Sequence, residues 1–258
     1  MNHMQLQPLA SAGAGTAEVL LSGPQFRSAW HQFLRIILEP GASHCPEAVG
    51  RSEIGYISLA GNVTFQNDEF AVAVESPAVL KCPASSEYRI VNDGESLADL
   101  LFVSVNLSAQ QEGSAKPSFD IEAVDAAMLR GWHAAIHGGC GQIATRHIWS
   151  PADFASSWTF LDHAVLASRS SVGYHHHGGL EEAFVILSGS GLMTIEGETF
   201  EVEPGSVTFQ GIEQAHGIYN PGDESLAFLR IAIGVPGEEF TTIDLDDDLA
   251  SRRSPGST

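Results

Sequence analysis

The chain is short of cations and cysteines and has no long apolar run, and each shortage removes a class of function. Only 12 of its 258 residues are Lys or Arg against 32 Asp or Glu, a formal net charge of -20. A chain so acidic repels phosphate backbones and anionic lipid, so neither nucleic acid nor membrane is expected as a partner. A small-molecule substrate stays open, because a local site can oppose the overall field. The three cysteines, Cys45, Cys82 and Cys140, are odd in number and widely spaced. They make no disulfide framework, and a reducing, cytoplasmic setting is expected. The opening stretch MNHMQLQPLASAGAG has no basic region followed by an apolar core, so no secretory signal is expected. No stretch approaches the roughly 18 uninterrupted apolar residues of a membrane helix. What remains, 43% hydrophobic and 17% charged, suits a packed globular chain of one large or two small domains.

The chain repeats itself. SEIGYISLAGNVTF (52–65) matches EEAFVILSGSGLMTI (181–195), with Glu53 on Glu181, Tyr56 on Phe184 and Gly61 on Gly189 at an offset of 128. PASSEYRIVN (83–92) matches GIEQAHGIYN (211–220) at the same offset, Asn92 falling on Asn220. Each copy then reaches the tetrapeptide Glu-Ser-Leu-Ala, at Glu95 and at Glu224. Two blocks sharing one offset indicate a tandem duplication.

Both copies read as short strands: GYISLAG, AVAV and LLFVSV, then AFVIL, GLMTIE, SVTFQ and FLRIAI. Turn residues punctuate them (Asn67-Asp68, Glu196-Gly197, Asn220-Pro221-Gly222). Closely spaced strands of this kind predict an all-β chain of two sandwiches or barrels. Between the copies, Ile121, Val124, Ala127, Met128 and Trp132 recur at helical spacing behind Asp120, which predicts a short linker helix over 119–139. The expected layout is a flexible terminus (1–20), a first barrel (21–112), a linker with the helix (113–145), a second barrel (146–242) and a solvated acidic tail (243–258).

The densest chemistry lies in GYHHHGGLEEAFVILSGSG (173–191). Side chains alternate along a strand, so His175 and His177 point one way and His176 the other. Glu182 shares parity with Phe184 and Ile186, and faces inward if they do. Glu181 competes with it, but parity sends Glu181 to solvent or to another polar contact. His216 follows a strand and a turn later, and a rolled sheet can bring it beside the first pair. Three imidazoles and one carboxylate suit Fe(II), Mn(II), Ni(II), Cu(II) or Zn(II), with one or two coordination positions left open.

These residues resemble the two motifs of the cupin superfamily. The first motif is matched in full by His175, His177, Glu182 and Gly189. In the second, Gly205, His216 and Asn220 match, while Ser206, Gly211 and Glu213 stand where the family usually has Asp, Pro and Gly. The departures touch the turn before His216 and spare every ligand. The resemblance covers roughly residues 155–235 directly and 35–108 through the repeat. It implies tandem cupin barrels, a bicupin, with one divalent metal, Fe(II) favoured, on His175, His177, Glu182 and His216. It also implies association through sheet edges, so a homodimer is expected.

The first copy has lost these ligands, with Tyr88 in place of His216 and Ile54 in place of Glu182. A site of His44, Cys45 and Glu47 is conceivable, but the first barrel is read as structural. His147, Trp149, Asp162 and His163 can line the second barrel's mouth, although satisfaction at a sheet edge is the favoured account of them. Phe184, Met193, Phe209 and Ile218 serve either a pocket wall or the core. Trp132, His133 and His137 fall on the linker and need no catalytic role.

Three readings of function follow. The first is a dioxygenase-like oxidoreductase acting on a small chelating metabolite, with Glu182 as the candidate catalytic carboxylate. The second is a metal-dependent isomerase, lyase or decarboxylase. The third is a non-catalytic small-molecule binder. A DNA-binding regulator is disfavoured, since no basic patch or helix-turn-helix segment accompanies the barrels.

Overall fold

A computed structural model describes residues 3–7, 17–46, 51–82, 87–112 and 119–252. The described residues are built almost entirely from strands in four antiparallel sheets. The one α-helix among the described residues is the single turn Ala109–Glu112. No helix among them is long and apolar enough to cross a membrane.

Two compact units divide the chain. One takes residues 7–125 with 151–158, the other residues 1–6, 126–150 and 159–258. The first unit holds a six-stranded sheet in the order Asp120–Ala123, Ala78–Cys82, Ser52–Ala60, Ala98–Asn106, Trp30–Leu38, Ala17–Ser22. Its second sheet orders Ser43–His44, Arg89–Val91, Asn62–Gln66, Ala71–Glu75. The other unit holds a seven-stranded sheet in the order His3–Gln5, Ser206–Gln210, Leu180–Ser188, Leu226–Gly234, Trp158–Leu166, Gln142–Trp149, Trp132–Ala134. A five-stranded sheet orders Glu198–Val202, Gly191–Ile195, His216–Asn220, Ser170–Gly178, Thr241–Asp244.

The duplication is visible strand by strand. Ala78–Cys82, Ser52–Ala60, Ala98–Asn106 and Trp30–Leu38 recur in the same order as Ser206–Gln210, Leu180–Ser188, Leu226–Gly234 and Trp158–Leu166, every bound shifted by 128. Two matched residues show why the repeat persisted. Asn92 Nδ2 donates to Leu38 O and Ser96 O at 2.8 Å, and Gly94 N donates to Asn92 Oδ1. Asn220 Nδ2 donates to Ala167 O at 2.9 Å and Glu224 O at 2.8 Å, and Gly222 N donates to Asn220 Oδ1. In each copy one amide satisfies the buried carbonyls of a turn. Gly61 (φ +84°) and Gly189 (φ +77°) are equally constrained: a Cβ would lie 2.8 Å from Leu97 O in the first and 2.3 Å from Ser225 O in the second.

Each unit has its own apolar core. Leu34, Ile36, Tyr56, Phe65, Leu80 and Phe102 pack in the first, and Ile143, Ala164, Phe184, Ile186, Met193 and Phe228 in the second. Alternation along the strands fixes which side chains share that inner face.

Two expectations are corrected. No helix forms over 119–139. Asp120–Ala123 pairs with Ala78–Cys82, Ala126–Met128 is a 3-10 turn, and Trp132–Ala134 pairs with Gln142–Trp149. Of the residues read as a helical stripe, Ile121 and Trp132 fall on two sheet edges, Val124 is buried and Met128 is exposed, and Gly131 and Gly138 break the backbone at positive φ. Nor is the described chain from Ile243 a free tail, although most of its side chains are exposed. Thr241–Asp244 pairs with Ser170–Gly178, and Leu249 is buried against Leu192 and Tyr219. Within the expected flexible start, His3–Gln5 is a strand on Ser206–Gln210 and Ala17–Ser22 pairs with Trp30–Leu38.

Candidate metal centre

Two adjacent strands of the five-stranded sheet and one of the seven-stranded sheet supply four donors. Ser170–Gly178 carries His175 and His177, with His176 on the other face. His216–Asn220 begins with His216, directly opposite His175 in register. Leu180–Ser188 carries Glu182 on the face of Phe184 and Ile186. One ligand atom from each of His175, His177, Glu182 and His216 lies within 4.8 Å of all the others, and all four residues are buried.

The hydrogen bonds around the cluster set its chemistry. His175 Nδ1 donates to Gly173 O at 2.8 Å, and His216 Nδ1 donates to Gln214 O at 2.9 Å. A neutral imidazole that donates from Nδ1 keeps a lone pair on Nε2. His177 Nδ1 meets the Thr242 hydroxyl at 2.9 Å. All three Nε2 atoms therefore turn to the centre. His175 Nε2 lies 3.1 Å from His177 Nε2, and His216 Nε2 lies 3.0 Å from Glu182 Oε2. Lone pairs that close repel unless a proton or a cation sits between them. Donor atoms about 2.1 Å from a shared ion would be roughly 3.0 Å apart when adjacent and 4.2 Å when opposite. The separations of 3.0, 3.1 and 3.7 Å (His177 Nε2 to Glu182 Oε2) fall in that range. The donor set fits one divalent metal ion.

Protonation follows the same arrangement. Burial, with His216 and His137 close by, holds His177 down at about 4 against the opposing pull of Glu182. Burial, with the three neighbouring histidines, holds His175 lower still. Burial pushes the Glu182 carboxyl upward, but the His216 hydrogen bond and the Arg230 charge outweigh it and hold it at about 2. Neutral imidazoles at His175 and His177 beside the ionised Glu182 carboxylate favour a cation at this centre.

Several side chains around the donors were not legible as such. Arg230 lies on Leu226–Gly234 on the inner face of Phe228, with Nη1 3.9 Å from Glu182 Oε1. Its Nη2 donates to Asp162 Oδ2 at 2.7 Å, and Asp162 Oδ1 meets His147 Nδ1 at 2.5 Å. Asp162 and His147 are thus not merely satisfied at a sheet edge, since they run from the centre towards solvent, where the His147 side chain is 58% exposed. A single Arg at an inward position of the apolar run FLRIAI was the available signal for Arg230. His137 stacks on His175 at 3.9 Å between centroids and meets Asp244 Oδ1 at 2.9 Å. Both residues lie in segments read as linker helix and acidic tail.

Other candidates separate cleanly. Glu181 is buried rather than solvent-facing and lies outside the cluster. Phe184, Met193 and Ile218 are core residues, while Phe209 alternates to the opposite face from Gln210 and Thr208. The turn before His216 survives its departures: Glu213 adopts φ +63° in place of glycine, and its N–H donates to His177 O at 2.8 Å. In the first unit no metal cluster forms among the described residues, and Glu47 and Pro83 lie outside them. An aromatic group fills the equivalent space: Tyr56 and Tyr88 rings meet edge to face at 6.2 Å, Phe65 lies 5.0 Å from Tyr88, and Tyr56 lies 5.2 Å from Phe102.

Comparison with known proteins places this geometry. The cupin domain family model matches residues 163–232, the stretch that holds all four donors. The structure of protein Ylba from Escherichia coli superposes with a TM-score of 0.62 at 16% identity, over 89% of this chain and 90% of that one. A mutant of Bacillus subtilis oxalate decarboxylase gives 0.61 at 12% identity, over 95% of this chain and 79% of that one. These two likenesses establish the fold. An oxalate-binding protein of Thermotoga maritima is 31% identical over 98 residues, 38% of this chain but 81% of that protein. A likeness that runs through most of a relative's length is more than a shared motif, and by it the chain belongs to the cupin family.

Proposed function

We propose that the protein is a mononuclear non-haem metal enzyme of the cupin type, with His175, His177, Glu182 and His216 holding one divalent ion, Fe(II) before Mn(II), Ni(II), Cu(II) or Zn(II). Its reaction is read as a dioxygenase-like oxidation of a small chelating organic metabolite. The observation that carries this is the approach of His216 Nε2 to Glu182 Oε2 at 3.0 Å while His216 Nδ1 faces a carbonyl oxygen. Such a pair is held by a proton or a cation, and the convergence of four donors within 4.8 Å favours a metal ion, with positions left free on one that accepts six. A divalent ion there supplies Lewis-acid polarisation, and iron adds redox chemistry. The chain's own part is to hold three imidazoles by their Nδ1 atoms and to bury the site. Glu182 Oε1, with no hydrogen-bond partner among the described residues, is the oxygen we assign to receive a substrate proton. A carboxyl held at about 2 does so only from an acid that binding has already strengthened.

A second reading has its own support. The Thermotoga maritima relative is named for binding oxalate. A non-oxidative decarboxylase, lyase or isomerase, or a binder of small acids, would use the same donors.

Metal analysis of protein purified without added metal, repeated after anaerobic Fe(II) loading, tests the first step. One equivalent per chain, lost in His177→Ala, supports the centre, whereas metal retained by that variant overturns it. Oxygen uptake with keto acids and catechols then separates the readings. Consumption matched to substrate loss supports the oxidation. Turnover without oxygen supports the lyase or isomerase, and saturable binding without turnover supports the binder.

A further inference from the structure

Three buried polar atoms on neighbouring strands of the seven-stranded sheet have no hydrogen-bond partner among the described residues: Gln210 Oε1, Glu182 Oε1 and Arg230 Nε. Their residues are 1%, 0% and 8% exposed. Register places Gln210 opposite Glu182 on one side, and Arg230 opposite Phe184, two residues further along the same strand, on the other. Buried polar groups are nearly always satisfied, so a row of exceptions on one inner face points to something that binds there. Glu182 is accounted for, with Oε2 turned to the metal donors and Oε1 assigned above to a substrate proton. A metal ion cannot account for Arg230 Nε, which needs an acceptor.

Arg230 is fixed but underused. Asp162 takes one hydrogen from Nη2, and the Phe160 ring lies 5.2 Å from the guanidinium carbon. The contact of Nη1 with Glu182 Oε1, at 3.9 Å, is too long for a hydrogen bond. A buried arginine in the first unit makes the contrast. Arg35 donates from Nε and Nη2 to Asp99 at 2.9 and 2.7 Å, and from Nη1 to Gln7 O at 2.7 Å. Arg35, in the unit with no donor cluster among the described residues, has a partner on each of its three nitrogens. Arg230, beside the donor cluster, keeps Nε unpaired. Guanidinium hydrogens match carboxylate oxygens in spacing and direction.

Charge sets the order of events. Glu182 and Asp162 against Arg230 leave a formal charge of -1, which a divalent ion turns to +1. Asp244, across His137, adds a further negative charge, so the metal-free face repels an anion and a bound divalent ion removes that repulsion.

We propose that Arg230 holds the carboxylate of the substrate, and that the substrate is a small organic acid with a second oxygen within reach of the metal: a dicarboxylate, a 2-oxo acid or a 2-hydroxy acid. This rests on the metal-centre reading above. Asp162, fixed in turn by His147, is a positioning residue for the guanidinium.

The test uses full-length protein loaded with Mn(II), titrated by calorimetry with oxalate, lactate and catechol, the last a chelator without a carboxylate. Metal content is checked in the same samples. Arg230→Gln should weaken binding of the acids at least tenfold, leave one metal per chain, and leave catechol affinity within twofold. Metal-free protein should not bind the acids. Where Arg230→Gln fails to fold because Asp162 loses its partner, the double variant Arg230→Gln/Asp162→Asn removes both charges and is read by the same criteria. Unchanged acid affinity in the variant overturns the proposal, as does an equal loss for catechol, and as does wild-type protein that binds neither acid. Wild-type protein that takes up no Mn(II), or His177→Ala that keeps it, instead brings down the metal-centre reading and this assignment with it.

Discussion

Thr242 Oγ1 lies 2.9 Å from His177 Nδ1, so a residue from the described C-terminal strand orients one imidazole of the donor set. Partners of this kind typically tune metal affinity by 10- to 100-fold. Thr242→Val, nearly the same size, should weaken metal binding by roughly tenfold without unfolding the protein, and Thr242→Ser should restore it. Competition against a chelator of known affinity measures both.

The first unit should be indifferent to the loss of its buried hydroxyls. Tyr56 Oη and Tyr88 Oη are buried and make no hydrogen bond of good geometry among the described residues, the polar groups that reach them being each other and Cys82. Removing an unsatisfied buried hydroxyl while keeping the ring removes a desolvation cost of about 1 kcal/mol. Tyr88→Phe should therefore be neutral to slightly stabilising in urea denaturation and should leave one metal per chain. His175→Ala or His216→Ala should abolish the metal. Loss of metal in Tyr88→Phe would contradict the assignment of the centre to the second unit.

Acid should destabilise the metal-free protein across a defined window. The unfolded chain takes protons on His177 as pH falls below its ordinary 6.5, while the folded chain refuses them until about 4. Stability is therefore complete above about pH 6.5 and declines as pH drops towards 4, by about 3 kcal/mol at most for this one group. Glu182, held at about 2 against an ordinary 4.5, adds a further loss at lower pH. Denaturation in the presence of EDTA at pH 7.5, 6.0 and 5.0 reads the slope, and a flat profile would contradict it.

Glu213 offers a stabilising change. It holds φ +63°, a conformation that costs a residue with a side chain about 1 kcal/mol. Glu213→Gly relieves that strain at some cost in chain entropy, for a net gain of roughly 0.5 kcal/mol. The melting temperature should rise slightly, with metal content unchanged.

The donor cluster was readable in the sequence because strand geometry leaves little freedom. Alternate residues share a face, so His175 with His177, and Glu182 with Phe184, announce their directions. The duplication was readable because Asn92 and Asn220 do the same local work. Arg230 was hidden for the opposite reason: its role comes from Asp162 on another strand, far away in sequence, and a lone cation in FLRIAI has no spacing to betray it. The linker was misread because the stripe from Ile121 to Trp132 satisfies helical spacing, while the unpaired edges of two sheets were invisible from the sequence. The tail was misread because acidic composition says nothing of the backbone, and there it is the backbone that pairs.

The strand His3–Gln5 lies on Ser206–Gln210, and residues 1–6 cluster with the unit that holds the four donors, whereas 151–158 cluster with the other. The two barrels therefore cannot be parted by a single cut. A fragment trimmed to the family match, 163–232, would lose His147, Thr242, Asp244 and His137, and would expose the backbone of Ser206–Gln210 to any strand in solution. Such a fragment should bind metal poorly and aggregate, and dissection of this protein would have to carry pieces from both ends of the chain.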